Sequence, residues 1–209
     1  MSLLQRSKRH LKVAIVGGAT RDLNAVRSFR DDWEIWGLNA IRPVWSGPIR
    51  WSRWFNLHRY FHLKRDWRDG LQSEIGWAHL NQGVPFYVVD SWDGALPNEV
   101  IFPWRKLAKL PRGDYHAGSF DWMVAFAAYL GAKEISIHGV NLNMESGEPI
   151  SARACLEYWC GYAVGKGAIV HIANDCQIFH QYHLVCSDSV YGYDDVRLIE
   201  DRRTEGRTP

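Results

Sequence analysis

The chain has 209 residues, 46% of them hydrophobic, with 23% charged residues and a formal net charge of +2. That composition fills one core and predicts a single domain over 1–209, with 1–11 and 194–209 peripheral. Near-neutral, dispersed charge argues against nucleic acid as a partner, and no run approaches the roughly 18 apolar residues of a membrane span.

Lys12–Gly17 is a continuous apolar run, as in a strand covered on both faces. Arg21–Arg30 predicts a short helix with Val26 and Phe29 inward, and Glu34–Leu38 a second strand. Pro43 and Ser46-Gly47-Pro48 mark a loop. Trp51–Leu57 reads as a third strand. Lys64–Asn81 reads as a helix presenting Trp67, Leu71, Ile75 and Ala78 on one face, interrupted by Gly70 and Gly76. Pro85–Val89 is the fourth strand. Residues 90–115, punctuated by Pro97, Pro103 and Pro111, read as a long functional loop containing the apolar run Val100-Ile101-Phe102. Ser119–Leu130 is the clearest helix, with Met123, Phe126, Ala127 and Leu130 as its stripe. Glu134–His138 is the fifth strand. A loop over Asn143–Pro149, a helix over Ala152–Val164 and a sixth strand over Ala168–Ile172 follow. Alternating strands and helices predict an α/β fold, a mainly parallel sheet with helices on both faces.

The basic N-terminus leads into no apolar signal core, and the cysteines (Cys155, Cys160, Cys176 and Cys186) form no Cys-x-x-Cys pair. Reduced thiols in a cytoplasmic protein are expected. His180, His183 and Cys186 fit no standard zinc spacing, and no metal ligand set is assigned. Basic residues at 6–12 and 59–68 read as solvated surface. The tryptophans crowded between Trp33 and Trp92 read as core or pocket wall, with one or two free to stack on a base or sugar.

Gly17-Gly18-Ala19-Thr20 follows the first strand. Small residues let a backbone approach an anion, and free N–H groups at a helix start hold it; a plain tight turn is the competing reading. Asn39 ends the second strand, where a dinucleotide fold places a ribose-binding acid, and asparagine there weakens NAD chemistry. Ser119 reads as an N-cap or as a hydroxyl that holds a second phosphate or carboxylate, and His116 before it as a general acid or base. Asn56 and His58 end the third strand, and His138 and Asn141 the fifth. A parallel sheet gathers such ends into one crevice, which makes His58, His116 and His138 the candidate proton carriers. Arg153 and Glu157, four apart, read as a surface ion pair or as an arginine for an anionic leaving group.

Several motifs resemble a known superfamily. They are Val13-Ala-Ile-Val-Gly-Gly-Ala-Thr20, Trp36-Gly-Leu-Asn39, Gly118-Ser119 opening a helix, and Tyr129 to Asn141. The superfamily contains the bacterial sialyltransferases of the Campylobacter type, the motility-associated-factor glycosyltransferases and the 6-hydroxymethylpterin diphosphokinase-like proteins. Small uncharacterised phage and prophage proteins look closer, sharing Trp33 to Asn39, Arg53 to His58, Cys155-Leu-Glu-Tyr-Trp159 and Tyr191-Gly-Tyr193. The resemblance, over about residues 12–193, implies a modified Rossmann-like fold and a small-molecule nucleotide or nucleotide-sugar donor. It implies that Gly17, Gly18 and Thr20 contact that nucleotide, that Asn39 matches the asparagine ending the second strand, and that Ser119 matches the hydroxyl opening the later helix.

The sialyltransferases carry a catalytic histidine and phosphate-binding tyrosines in a lid where this chain has only Asn143–Pro149. The pterin enzymes use metal-binding carboxylates, for which Asp114, Asp121, Glu145 and Glu148 are available, so Mg2+ stays open as a cofactor. The expectation is a nucleotide-dependent transferase moving a glycosyl or (di)phosphoryl group to a small acceptor. The alternative is a non-catalytic phage or prophage protein that sequesters a nucleotide-like ligand or a host protein. Homo-oligomerisation is left open.

Overall fold

This computed structural model describes residues 10–20, 23–39, 49–142, 150–174, 176, 178 and 179. Outside them fall Arg21, Trp45, the loop at Pro43 to Pro48, the segment 143–149 with Glu145 and Glu148, the His180/His183/Cys186 group, and the tail with Tyr191 to Tyr193. Met1–Ile178 is one compact unit; Phe179–Pro209 is counted as a second.

Among the described residues seven strands form one sheet: β1 (Lys12–Val16), β2 (Trp33–Leu38), β3 (Arg53–Asn56), β4 (Phe86–Val88), β5 (Glu99–Ile101), β6 (Glu134–His138) and β7 (Ile169–Ile172). Their order is β5-β4-β3-β2-β1-β6-β7, and every neighbouring pair is parallel. The helices are α1 (Leu23–Arg27), α2 (Tyr60–Asp66), α3 (Arg68–Leu80), α4 (Trp104–Leu107), α5 (Ser119–Tyr129) and α6 (Ile150–Gly165).

The pleat divides the core. Val13, Ile15, Trp36, Leu38, Phe55 and Tyr87 face the layer that holds Met123, Phe126 and Ala127 of α5 and Leu156 and Trp159 of α6. Ala14, Val16 and Ile35 face Val26 of α1, and Trp54, Phe86 and Val88 face Leu71 and Ala78 of α3. Both faces of the sheet are therefore covered, which is why β1 reads as an unbroken apolar run rather than an alternating one. Each large side chain buried this way contributes roughly 1.5–3 kcal/mol. At the amino end of β3, Arg53 crosses to Glu34 (Nε to Oε2, 2.7 Å) and donates to Tyr87 Oη at 2.8 Å. Its guanidinium packs over the Trp36, Tyr87 and Phe126 rings.

Two expectations change. The segment 90–115 holds a strand, β5, and a short helix, α4, so the sheet has seven strands rather than six. The helix expected over Lys64–Asn81 is two helices, broken at Trp67, whose φ of −144° and ψ of 44° end one and begin the next. Trp67 folds over the helix instead of along it, and a Cβ on Gly70 would collide with its ring. The inward positions of α3 are Gly70, Leu71, Glu74 and Ala78.

Candidate functional site

β1 pairs with β2 on one side and β6 on the other, so chain order reverses between β1 and β6. In a parallel α/β sheet the crevice beyond the carboxyl ends at such a reversal is where ligands bind. The carboxyl ends of β3, β2, β1 and β6 lie side by side there. The start of α5 joins this edge, since Phe120 packs against Gly17.

The turn after β1 and the turn after β6 are locked together. Gly17 N donates to His138 O (2.7 Å), Ala19 N to Gly139 O (3.0 Å) and Thr20 N to Gly17 O (3.4 Å). The buried Thr20 hydroxyl donates to Gly17 O at 3.0 Å. A Cβ on Gly17 would strike Gly139 O, and one on Gly139 would strike Thr20. These glycines are therefore required by the contact between two backbones. Gly18 is the exposed residue of the turn.

The strand ends differ from one another. Asn39 takes the left-handed conformation (φ 50°), its N–H bonds Phe55 O, and its carbonyl accepts from Trp54 Nε1 at 3.2 Å. Its side-chain Oδ1 is buried without a hydrogen-bond partner among the described residues, as is Asn141 Oδ1 after β6. Asn56 is fully buried and its amide is in use: Nδ2 donates to Glu74 Oε2 (2.9 Å) and Oδ1 accepts from His58 N (3.0 Å). The His58 side chain is exposed. His138 turns to the α1 face, with Nε2 2.8 Å from Ser136 Oγ and its ring edge-on to Phe29.

His116 has the most constrained chemistry. Asp121 accepts from His116 Nδ1 (2.9 Å), Ala117 N (2.8 Å) and Gly118 N (2.9 Å). The imidazole lies flat between Trp122 (centroids 3.4 Å, planes 6° apart) and Trp159 (4.7 Å, 11°). Its side chain is 4% exposed, and Nε2 has no partner among the described residues. When Nδ1 donates to Asp121 and the ring carries no second proton, Nε2 is an acceptor. Gly118 occupies the N-cap position, so Ser119 is the first residue of α5 and not its cap; the carboxylate of Asp121 closes the turn. The opening N–H groups of α5 make no intrahelical bonds.

Arg153 pairs with Glu157, Nε to Oε1 at 2.8 Å, in the first half of α6. No group of three or more His, Cys, Asp or Glu side chains fit to hold a metal occurs among the described residues, and no helix among them is long and apolar enough to cross a membrane. Cys155, Cys160 and Cys176 are buried thiols outside any disulfide, Cys176 donating to Ile137 O; burial pushes Cys160 up to about 12.

Of the residues anticipated from sequence, Gly17–Thr20, Asn39 and Asn141 share the edge at the reversal with the start of α5. His138 and Asn56 belong to that edge by backbone position, but their side chains are engaged in internal bonds. Two residues went unanticipated as partners: Asp121 as the holder of His116, and Glu74 as the partner of Asn56. Asp121 at the third helical position was the available signal for the first. No family model matches the chain, and no curated protein matches it. A solved structure of the sialyltransferase CstII from Campylobacter jejuni, in complex with cytidine-5'-monophosphate, is similar over 90% of this chain and 99% of that one. The two are 11% identical with a TM-score of 0.46, a likeness too distant to carry an inference.

Proposed function

We propose that the protein binds a nucleotide across the carboxyl ends of β2, β1 and β6 and transfers a glycosyl or (di)phosphoryl group from it to a small acceptor. The observation that supports this reading is a set of buried hydrogen-bond acceptors without partners among the described residues, Asn39 Oδ1, Asn141 Oδ1 and His116 Nε2. Left unmade, each costs about 1–3 kcal/mol. A ribose or sugar carries the hydroxyl donors that would satisfy them. The resemblance of the β1 turn, Asn39 and the Gly118-Ser119 helix start to the nucleotide-binding superfamily supports the same reading.

In this reading the donor phosphates lie against exposed Gly18 and the opening N–H groups of α5 at Ser119. The acceptor oxygen attacks the transferred group, the bond to the nucleotide phosphate breaks, and the nucleotide leaves with the electron pair. His116 Nε2 takes the acceptor's proton, and Asp121 steadies the imidazolium that forms. Nε2 is shut off from solvent, so the acceptor must displace what covers it. That burial favours a second reading, in which the nucleotide-like ligand is sequestered and nothing turns over.

Titration calorimetry with CMP, CDP, UDP, GDP, ATP and nucleotide sugars tests the proposal. At least one ligand is expected to bind, and Asn39→Ala or Asn141→Ala to weaken it about threefold to tenfold. His116→Ala should weaken nucleotide binding no more than the asparagine variants do and abolish product formation in a turnover assay. Absence of binding across the series overturns the nucleotide reading. Tight binding without turnover selects sequestration.

A further inference from the structure

Glu74 is 3% exposed, on the inward face of α3 with Leu71 and Ala78, beneath an aromatic layer of Trp54, Phe86 and Trp92. One carboxyl oxygen accepts from Asn56 Nδ2; the other has no partner among the described residues. No cation among those residues answers it. The charged groups of the neighbouring segments have partners of their own: Asp90 accepts from Tyr60 N, Glu99 accepts from Trp92 N, His79 bonds Ala95 O, and Lys64 pairs with Asp93. His58, Arg59, His62, Arg68 and Asp69 are exposed. Burial pushes the Glu74 carboxyl up to about 7, against the pull of the Asn56 bond.

Asn56 is the link outward. Its Oδ1 accepts from His58 N, so the same amide ties α3 to the turn between β3 and α2. We propose that Glu74, Asn56 and the His58 backbone form a proton-operated latch, which holds α3 and the β3–α2 turn in place while Glu74 is protonated and releases them when the proton leaves to solvent. A neutral carboxylic acid tolerates this apolar layer. A carboxylate with a single amide donor and no cation does not, and it regains its hydration only if α3 swings out and the Asn56 bond parts.

Linkage sets the direction. In the opened form Glu74 titrates near its ordinary value; in the closed form it keeps its proton to about 7. The closed form therefore binds the extra proton between those values, and closure weakens as pH rises through that window. The latch is closed in mild acid and reaches its most open balance above neutrality. The turn it governs borders the carboxyl edge of the sheet, so the latch adds a pH response to that edge whether or not a nucleotide binds there.

Hydrogen exchange read by mass spectrometry on the full chain, corrected for intrinsic rates, tests this between pH 5 and pH 8.5. In segments 57–66 and 68–80 opening is expected to rise about tenfold per pH unit up to about pH 7 and then level off. β1 and β6 should show no such rise, and Glu74→Gln should make the profile flat. The latch is overturned if those segments show no pH response, if Glu74→Gln keeps the slope, or if β1 and β6 open to the same degree. Should Glu74→Gln fail to fold, carbon NMR titration of the Glu74 carboxyl in the unaltered chain decides. A midpoint near 7 supports the latch, and one near the ordinary value of about 4.3 sinks it.

Discussion

Gly17 and Gly139 approach each other so closely that neither position has room for a methyl group. Gly139 also holds a φ of +60°, so a side chain there adds conformational strain to collision. Gly131 is the natural control, because its φ of +80° faces open space. Gly139→Ala is expected to lower stability in urea by a few kcal/mol, from roughly 1–3 each for strain and overpacking. Gly131→Ala should cost only about 1–2 kcal/mol. Equal losses would mean that the contact between the two turns is looser than described. The same comparison separates two meanings of a glycine pair after a strand. Gly18 is the one with an exposed position, whereas Gly17 is consumed by the neighbouring turn.

At the scale of elements, α3 offers a paired test. A methyl group on Gly76 would meet nothing within 4 Å, while one on Gly70 meets the Trp67 ring. Gly76→Ala should raise the thermal midpoint through about 0.5–1 kcal/mol of helix propensity. Gly70→Ala should lower it, because the indole at the α2–α3 break must move. If both substitutions stabilise, Trp67 does not define the break. These helices also show what could be read from sequence. β1, β2, α5 and β6 were legible because each is a strongly apolar run with clear punctuation. β5 was not: it showed only as the run Val100-Ile101-Phe102 inside a proline-punctuated segment, and three residues at the sheet edge, none of them fully buried, are too short a pattern to separate from a loop. Asn39 and Asn56 looked alike as polar residues ending strands. The difference lies in the pleat and in what α3 brings opposite, since Glu74 claims Asn56 across 18 positions of sequence. His116 was legible as a loop histidine before a helix. Its confinement between Trp122 and Trp159 was not, because Trp159 arrives from α6.

For the whole molecule, the strand order β5-β4-β3-β2-β1-β6-β7 places the reversal between β1 and β6, and Asn39 and Asn141, whose Oδ1 atoms have no partner among the described residues, flank it from β2 and β6. The fold class could be anticipated from alternation alone. The position of the reversal could not, because nothing local in β6 says that it joins β1 rather than β5. That joining passes the chain from one edge of the five-strand half to the opposite side of β1.

The pairing of Lys12 with Glu134 also has a consequence for synthesis. β1 is made first, yet one of its two edges stays open until β6 has left the ribosome more than a hundred residues later. Until then the apolar run Val13-Ala-Ile-Val16 offers an unpaired strand edge to other nascent chains, the condition under which association competes with folding. Chains arrested before residue 130 are therefore expected to sediment with aggregates or chaperones, and chains released after β6 to escape them, as sucrose-gradient fractionation of stalled translation products would show. Equal sedimentation of the two sets would mean that β1 is shielded by something other than its late partner.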